Sequence, residues 1–278
     1  MSVIAFTLYI LAGSMLAGIV GALTGLGGGV ILVPMLVLLF RVNVHYAVGA
    51  SLMSVIATSS GATAAYLREG YTNLRVGMFL QVAAAAGALL GAFMAARIHA
   101  RPLTILFGIT LLFSAGLSLR RRRQSATGGS SDKLAHRLRL SGSYPVPGGT
   151  QEYHIYHSSG AFGLMLGAGT LSGLLGIGSG AVKVLAMDQM MRLPYKVSTT
   201  TSNFMIGITA AVSAAFYISL GYIDPGLTMP VMLGVLAGSM IGARLLMRTR
   251  AASLRVLFSV VILILALEMI YSGLTGRI

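Results

Sequence analysis

Long apolar runs separated by short polar connections dominate the chain. They predict helical segments at residues 3–24, 29–40, 46–67, 76–96 and 103–119, and again at 159–176, 180–191, 197–219, 226–247 and 253–273. Most are close to the roughly 20 residues that a helix needs to cross a bilayer, whereas 29–40 and 180–191 have only about a dozen, which suits half-helices or re-entrant elements. The pattern predicts an all-α polytopic membrane protein with about eight to ten membrane segments.

A glycine-rich break precedes each of the two short runs. The first break is Gly25-Leu-Gly-Gly-Gly29, and the second, 151 residues later, is Gly176-Ile-Gly-Ser-Gly180. Paired glycine interruptions in corresponding places of two hydrophobic halves point to the binding site of a transporter built from repeats.

The two halves are related by a gapless internal repeat. Shifting residues 25–107 by 151 aligns them with 176–258, and 21 of the 83 pairs are identical. Glycines, arginines and tyrosines coincide in one register, which shared apolar composition does not explain, so the halves form a duplicated unit. The identical pairs include Gly25/Gly176, Gly29/Gly180, Arg41/Arg192, Ser51/Ser202, Tyr66/Tyr217, Gly87/Gly238 and Arg97/Arg248.

A polar stretch separates the halves. It begins with four arginines at 120–123, is rich in Ser, Gly, His and Arg, and shows no sustained periodicity up to Ser158. Such composition predicts a flexible linker. The chain therefore divides into a first transmembrane repeat (1–119), a basic cytoplasmic linker (120–158) and a second transmembrane repeat (159–278). We interpret the arginine run as a topology signal in preference to a lipid-binding patch.

Charge predicts how the halves face. In each half, the two segments joined by the glycine break either enter and return as a pair or cross twice, and three further segments cross. Each half therefore crosses the membrane an odd number of times, so the halves should be inverted. With the linker inside, 14 Lys and Arg lie in inside connections and four in outside ones, as the positive-inside rule requires. Lys183 and Arg244 lie within segments, and Arg244 is interpreted as an anchor at the inner boundary.

Composition narrows the function classes. Hydrophobic residues make up 56% of the chain and charged residues 9%, and there is no cysteine, so thiol chemistry is excluded. The net charge of +14 indicates basic cytoplasmic loops rather than nucleic-acid binding. The N-terminus has no basic residue typical of a secretory signal, so we expect segment 3–24 to be retained. Scattered histidines and few acids argue against an enzyme, a metal site or a cofactor, and the absence of a nucleotide motif indicates secondary transport.

Backbone N–H groups at the two breaks are the first candidate ligands. Such groups at a helix start bind anions without a full charge, and glycine permits close approach. In an inverted repeat both starts would face one cavity; the alternative is that the glycines only turn or pack helices. The candidate positions are Gly27, Gly28, Gly29, Gly178, Ser179 and Gly180.

Side chains near the breaks are the second group of candidate anion ligands. Ser51, Thr201, Ser202 and Asn203 begin the third segment of each half and could donate to an oxyanion, or else bond helix to helix. Lys183, whose repeat mate is Leu32, is an ionisable residue at membrane depth. It would hold the anion, pair with Asp188 or extend to the interface.

These motifs in this order resemble the sulfite exporter TauE/SafE family of anion permeases. The resemblance rests on Gly-Leu-Gly-Gly-Gly at 25–29, Ala-Val-Gly-Ala-Ser-Leu at 47–52, Gly-Tyr at 70–71 and 221–222, and the second break. The linker is long for the family, and Gly49-Ala50-Ser51 stands where the family often has Gly-Thr-Ser.

The resemblance implies a secondary transporter in the cytoplasmic (inner) membrane. It would move a small anion, such as sulfite, thiosulfate, a sulfonate or another organosulfur anion, by alternating access. A passive anion channel of the same fold and a carboxylate transporter stay open as alternatives. The expected partners are this anion, the bilayer and a coupling proton or other ion; the direction and the oligomeric state are also open. An inside-negative potential itself favours anion exit.

Overall fold

A computed structural model describes residues 3–24, 28–68, 70–119, 132–146, 149–246 and 251–276. The first half contains α1 (Val3–Thr24), α2 (Gly29–Leu38), α3 (Val44–Arg68), α4 (Leu74–Arg97) and α5 (Ala100–Leu119). The linker contains α6 (Lys133–Arg137) and the strands β1 (Gly142–Val146) and β2 (Gly149–Tyr153). The second half contains α7 (Ser158–Leu175), α8 (Gly180–Leu185), α9 (Tyr195–Ser219), α10 (Pro225–Leu246) and α11 (Ala251–Thr275). The helix that begins at Gly180 continues past α8 as a π-helical turn, Ala186–Met190.

The helices confirm an all-α polytopic membrane protein. Among the described residues, four helical stretches are long and apolar enough to cross a bilayer, namely Leu74–Arg97, Ser158–Leu175, Lys196–Ser219 and Pro225–Gly242. Shorter apolar stretches lie in α1, α2, α5 and α11. Every predicted segment corresponds to a helix whose ends lie within about three residues of the prediction, because the apolar runs and their breaks coincide with the helices and their ends.

Glycines allow two pairs of helices to pack backbone against backbone. A Cβ added to Gly87 of α4 would overlap the carbonyl oxygen of Leu166 in α7, and one on Gly238 of α10 would overlap that of Met15 in α1. Gly87 and Gly238 are repeat mates, so the α4–α7 and α10–α1 contacts are equivalent. Close approach through small residues is the usual basis of helix association in membranes.

Repeat mates α3 and α9 pack against each other in opposite directions. The Ser59 hydroxyl, late in α3, donates to the carbonyl oxygen of Asn203, early in α9. The ring of His45, at the start of α3, stacks on Tyr222 just beyond α9, with 5.0 Å between centroids. The mates α5 and α11 are also antiparallel, since Gly108 adjoins Ala266 while Gly273 adjoins Ile105. Inverted halves would produce this relation.

The polar connections collect at two ends of the bundle. At one end, the Thr200 hydroxyl of α9 donates to the carbonyl oxygen of Tyr71 (3.1 Å), and the N–H of Tyr156 in the linker donates to the carbonyl oxygen of Met191 (3.3 Å). At the other, His45 Nε2 lies 3.1 Å from the carbonyl oxygen of Ala95. Each end thus contains connections that the charge pattern predicts to share one side of the membrane. The arginine run 120–123 and the side chains of Arg244, Arg248 and Arg250 lie outside the described residues.

The linker is more regular than its composition predicts. Residues 132–158 include α6 and an antiparallel hairpin in which Gly142 pairs with Tyr153. Tyr153 and Ile155 are buried in an apolar cluster with residues of α4, the π-helical turn and α9. The prediction of an irregular segment is therefore wrong for this part, because the sequence pattern does not reveal apolar side chains that become buried only against the bundle.

Hydrogen bonds attach the linker to the bundle. The Ser158 hydroxyl and backbone N–H donate to Asp132 Oδ2 at 2.7 and 3.1 Å, and the side-chain bond holds the pKa of Asp132 below its usual value. Asn73, the residue before α4, caps that helix by accepting from the N–H of Val76 (3.1 Å). Its Nδ2 donates to the carbonyl oxygen of Leu140 (2.9 Å) and to the Tyr153 hydroxyl (2.7 Å).

Substitution of Asn73 should separate the linker from the bundle. In N73A the helix cap and two linker bonds are lost, and we expect about 2 kcal/mol of destabilisation. In Y153F only the hydroxyl is lost, so the expected cost is about half as large. Thermal unfolding of the purified protein measures both, and a melting temperature of N73A at or above that of Y153F would contradict this assignment.

Candidate functional site

The second glycine break has a backbone that favours glycine. Gly176, Gly178 and Ser179 all have positive φ, at 67°, 72° and 48°. The left-handed region costs an L-residue such as serine about 1–2 kcal/mol. Ser179 is buried, and its hydroxyl has no hydrogen-bond partner among the described residues. A strained residue with an unpartnered buried hydroxyl is typical of a functional position.

The structure brings the end of the first break against the second. A Cβ on Gly29 would lie 3.1 Å from the carbonyl oxygen of Gly176 and 2.7 Å from Ser51 Oγ. The Ser51 hydroxyl, fully buried in α3, donates to that same Gly176 oxygen (2.8 Å). Gly28 is also buried and has an ordinary helical φ of −64°, whereas Gly27 lies outside the described residues. Within the described residues, the two breaks therefore lie close together where Gly29 meets Gly176.

The remaining predicted residues at the start of α9 have different surroundings. The Ser202 hydroxyl is 3.4 Å from the carbonyl oxygen of Gly180, which makes it the repeat equivalent of Ser51 beside Gly29. Thr201 Oγ1 instead accepts from the N–H of Asn73 (3.1 Å), so it faces the α3–α4 connection. Asn203 is half-buried, and its backbone oxygen accepts from Ser59. Of the three, Ser202 adjoins a break.

Lys183 is the one lysine whose side chain is fully enclosed within the described part of the chain. Its Nζ donates to Thr209 Oγ1 (2.7 Å), and Gln81 Nε2 of α4 donates to the same oxygen (3.2 Å). Full burial rules out extension of the ammonium to the interface. Among the described residues the hydrogen-bond partner of Nζ is Thr209 rather than Asp188. Lys183, Thr209 and Gln81 thus form a buried polar cluster.

This cluster lies beside the second break. Ser202, Ile206 and Thr209 have spacings of four and three residues, which places them on one face of α9. Ile206 adjoins both Gly178 and Gly180. The break, the Ser202 hydroxyl and the lysine cluster therefore share the interface between α8 and α9. An ammonium group has three donors, and Thr209 accepts one, so Lys183 retains donors for an anion.

Sequence reasoning missed Gln81 and Thr209. Two signals were available: Gln81 is the single amide side chain in the apolar helix α4, and Thr209 is identical to its repeat mate Thr58. Polar side chains within membrane helices usually face the bundle interior rather than lipid, and there they often mark the path of a substrate. That Thr209 bonds to both Lys183 and Gln81 depends on the packing of α4, α8 and α9, which the sequence pattern does not specify.

Replacing Ser179 with glycine should separate stability from function. S179G relieves the left-handed strain and should raise stability by up to about 1 kcal/mol, while loss of the hydroxyl should weaken anion binding about tenfold. R41G is a matched control, because Arg41 has a φ of 51° but is exposed in the α2–α3 connection. Thermal unfolding with and without anion measures both effects; unchanged anion affinity in S179G would exclude a role for the hydroxyl.

Comparison with known proteins shows which family the chain resembles. A family model described as sulfite exporter TauE/SafE matches residues 10–269. The probable membrane transporter protein YunE of Bacillus subtilis (strain 168) is 25% identical over 268 residues, covering 94% of this chain and 96% of the relative. YdhB of the same strain, also named a probable membrane transporter protein, is 29% identical over 231 residues, covering 82% and 86%.

A third relative extends the same result. A probable membrane transporter protein of Xylella fastidiosa (strain 9a5c) is 25% identical over 260 residues, covering 91% of this chain and 92% of the relative. No solved structure matches the chain. Because the family match includes both halves, both breaks and the lysine cluster, the chain belongs to the sulfite exporter TauE/SafE family of membrane transporters.

Proposed function

We propose that this transporter moves a small oxyanion, such as sulfite, thiosulfate, a sulfonate or another organosulfur anion, across the cytoplasmic membrane. The observation that carries the proposal is Lys183, which is fully buried and has no carboxylate partner among the described residues. A buried cation is costly unless a counter-charge and further hydrogen bonds accompany it. An anion at the α8–α9 interface supplies both.

The hydrogen-bond donors around Lys183 suit an oxyanion. The Ser179 hydroxyl is unpartnered among the described residues, and the lysine retains donors after its bond to Thr209. Gln81 and Thr209 hold the ammonium in place, so their role is positioning. Ser51 donates to the carbonyl oxygen of Gly176, which gives that oxygen of the second break a hydrogen-bond donor. The binding residues are thus Ser179, Gly178, Gly180, Ser202 and Lys183, with Gly28, Gly29 and Ser51 supporting from the other half.

Alternating access between inverted halves is the mechanism we propose. The antiparallel packing of repeat mates α3 and α9 supports it, as does the adjacency of Gly29 and Gly176. In such transporters the repeats rock about a central site. The halves would be residues 1–119 and 159–278, with the linker 120–158 on the cytoplasmic side, where the positive-inside rule places its basic residues.

A binding screen of the purified protein tests the proposal. A ligand that binds only the folded state raises the melting temperature by an amount that grows with the logarithm of its concentration relative to Kd. We expect sulfite, thiosulfate or a sulfonate to raise it, and acetate or succinate to do so less. Stabilisation by carboxylates alone would indicate that the substrate is a carboxylate. Stabilisation by none of these anions would refute the proposed function.

A further inference from the structure

A second candidate anion site lies far along the chain from the glycine breaks, between the α3–α4 connection and the linker hairpin. There the described residues line an open cavity of about 270 Å³. We propose that this cavity binds a phosphate- or sulfate-type oxyanion group, either free or carried by a lipid headgroup. The residues on which the proposal rests are Tyr71, Arg75, Ser141, Ser143 and Tyr153.

Hydrogen bonds between the linker and the bundle hold the cavity open in a defined shape. Asn73 Nδ2 joins Leu140 and Tyr153 to the start of α4, and Arg75 Nη1 donates to the carbonyl oxygen of Arg139 (3.2 Å). The side chain of Asn73 is satisfied by these bonds and by the α4 cap. Asn73 therefore has a structural role in the wall of the cavity, and the groups available to bind a ligand belong to other residues.

The available groups are donors, and the charge of the cavity is positive. Arg75 has five N–H donors, of which Arg139 accepts one. None of the lining residues is acidic. The ammonium of Lys196 lies 5.2 Å from the centre of the Tyr71 ring, which adds positive charge beside the cavity. A guanidinium whose remaining N–H groups have neither another acceptor nor a carboxylate partner among the described residues suits a tetrahedral oxyanion.

Tyr153 contributes a buried donor. Its side chain is 2% exposed, and its oxygen accepts from Asn73 (2.7 Å) while its proton has no acceptor among the described residues. Burial raises the pKa of the Tyr153 phenol, so the proton is retained at neutral pH. A buried hydroxyl whose hydrogen has no acceptor favours a ligand that can accept its hydrogen bond, such as a phosphate oxygen. Ser141 and Ser143 also line the cavity.

The cavity is linked to the start of α9. The Thr200 hydroxyl donates to the carbonyl oxygen of Tyr71, and Thr201 accepts from the N–H of Asn73. Both threonines immediately precede Ser202, which adjoins the second break. An anion that holds Arg75 against the linker would therefore also hold the second turn of α9, so occupancy of this cavity should raise the stability of the whole protein.

A fluorescent reporter can test the site directly, because the chain contains no tryptophan. In Y71W the single indole would line the cavity. We expect inorganic phosphate, titrated into purified Y71W, to change the indole emission with saturation. On this background R75Q should weaken the response about tenfold. R137Q removes the same charge from exposed α6, outside the cavity, and should change the affinity less than about twofold.

A second arm distinguishes the two sources of the oxyanion. The indole emission of Y71W is measured in phosphatidylcholine nanodiscs and in nanodiscs that also contain phosphatidylglycerol. The same comparison is made for the double variants Y71W/R75Q and Y71W/R137Q. An Arg75-dependent response to inorganic phosphate or to phosphatidylglycerol supports the site and identifies which of the two supplies the oxyanion group. If neither probe distinguishes R75Q from R137Q while all variants melt cooperatively, the proposal is wrong. Because Lys183 is not involved, K183Q should leave both responses unchanged.

Discussion

Loss of transport is the expected result of replacing Lys183 with glutamine. The side chain is fully buried, and its bond to Thr209 leaves donors that have no other partner among the described residues. Glutamine removes the charge but retains similar length and two donors. Loss of a charge-assisted interaction of about 3 kcal/mol would reduce anion affinity about 100-fold or more. Flux of labelled sulfite or thiosulfate into proteoliposomes measures the effect.

The stability of the variants separates a binding role from a structural one. Removing an uncompensated buried charge should leave the melting temperature unchanged or raise it, whereas removing a structural contact should lower it. K196Q is the matched control, because Lys196 is exposed at the start of α9 and carries the same charge. T209V should reduce flux by a smaller factor, since it only frees the ammonium to move. Wild-type flux in K183Q would contradict the assignment of Lys183.

Failure to fold is the expected result of replacing Gly169 with leucine. A Cβ at Gly169 of α7 would overlap the carbonyl oxygen of Ala84 in α4, so the two helices must separate. Overpacking typically costs about 1–3 kcal/mol, and a clash with backbone belongs at or above the upper end. Its repeat mate Gly18 has the same relation to α10, where a Cβ would lie 2.5 Å from the carbonyl oxygen of Val235.

Gly167 provides the control on the same helix. A Cβ there would have no atom within 4 Å, and the position is exposed. Leucine favours helix over glycine by a similar amount at both sites, about 0.8 kcal/mol, so the difference between G169L and G167L reports packing alone. We expect G167L to accumulate and melt like the wild type. Equal yields and melting temperatures for the two variants would contradict the α4–α7 contact.

Much of the fold was predictable from the sequence because the bilayer restricts the choices. Backbone groups in lipid must bond within helices, so apolar runs with glycine breaks predict the helices of both halves to within a few residues. The linker shows the limit. Tyr153 ends β2, and Ile155 follows it after a single polar residue, His154. The burial of Tyr153 and Ile155 follows from contact with α4 and α9, which the local pattern does not contain.

The candidate site was predictable in part. The repeat register identifies Ser51 and Ser202 as mates, and the structure places each beside the glycine that begins the short helix of its own half. Lys183 was identified because ionisable residues are rare at membrane depth. Its neighbours Gln81 and Thr209 come from different helices, and their meeting depends on tertiary packing. Thr201 shows the converse, since a residue beside Ser202 in sequence faces the α3–α4 connection instead.

The most direct test of the central claim is counterflow of a labelled oxyanion into proteoliposomes that contain the purified wild-type protein. Vesicles are loaded with unlabelled thiosulfate or sulfite, and uptake of the labelled anion is followed with chloride-loaded vesicles as the comparison. A carrier that alternates between two faces should show uptake accelerated by the internal oxyanion and not by internal chloride. Uptake no faster than that of protein-free vesicles, for every sulfur oxyanion tried, would contradict the claim.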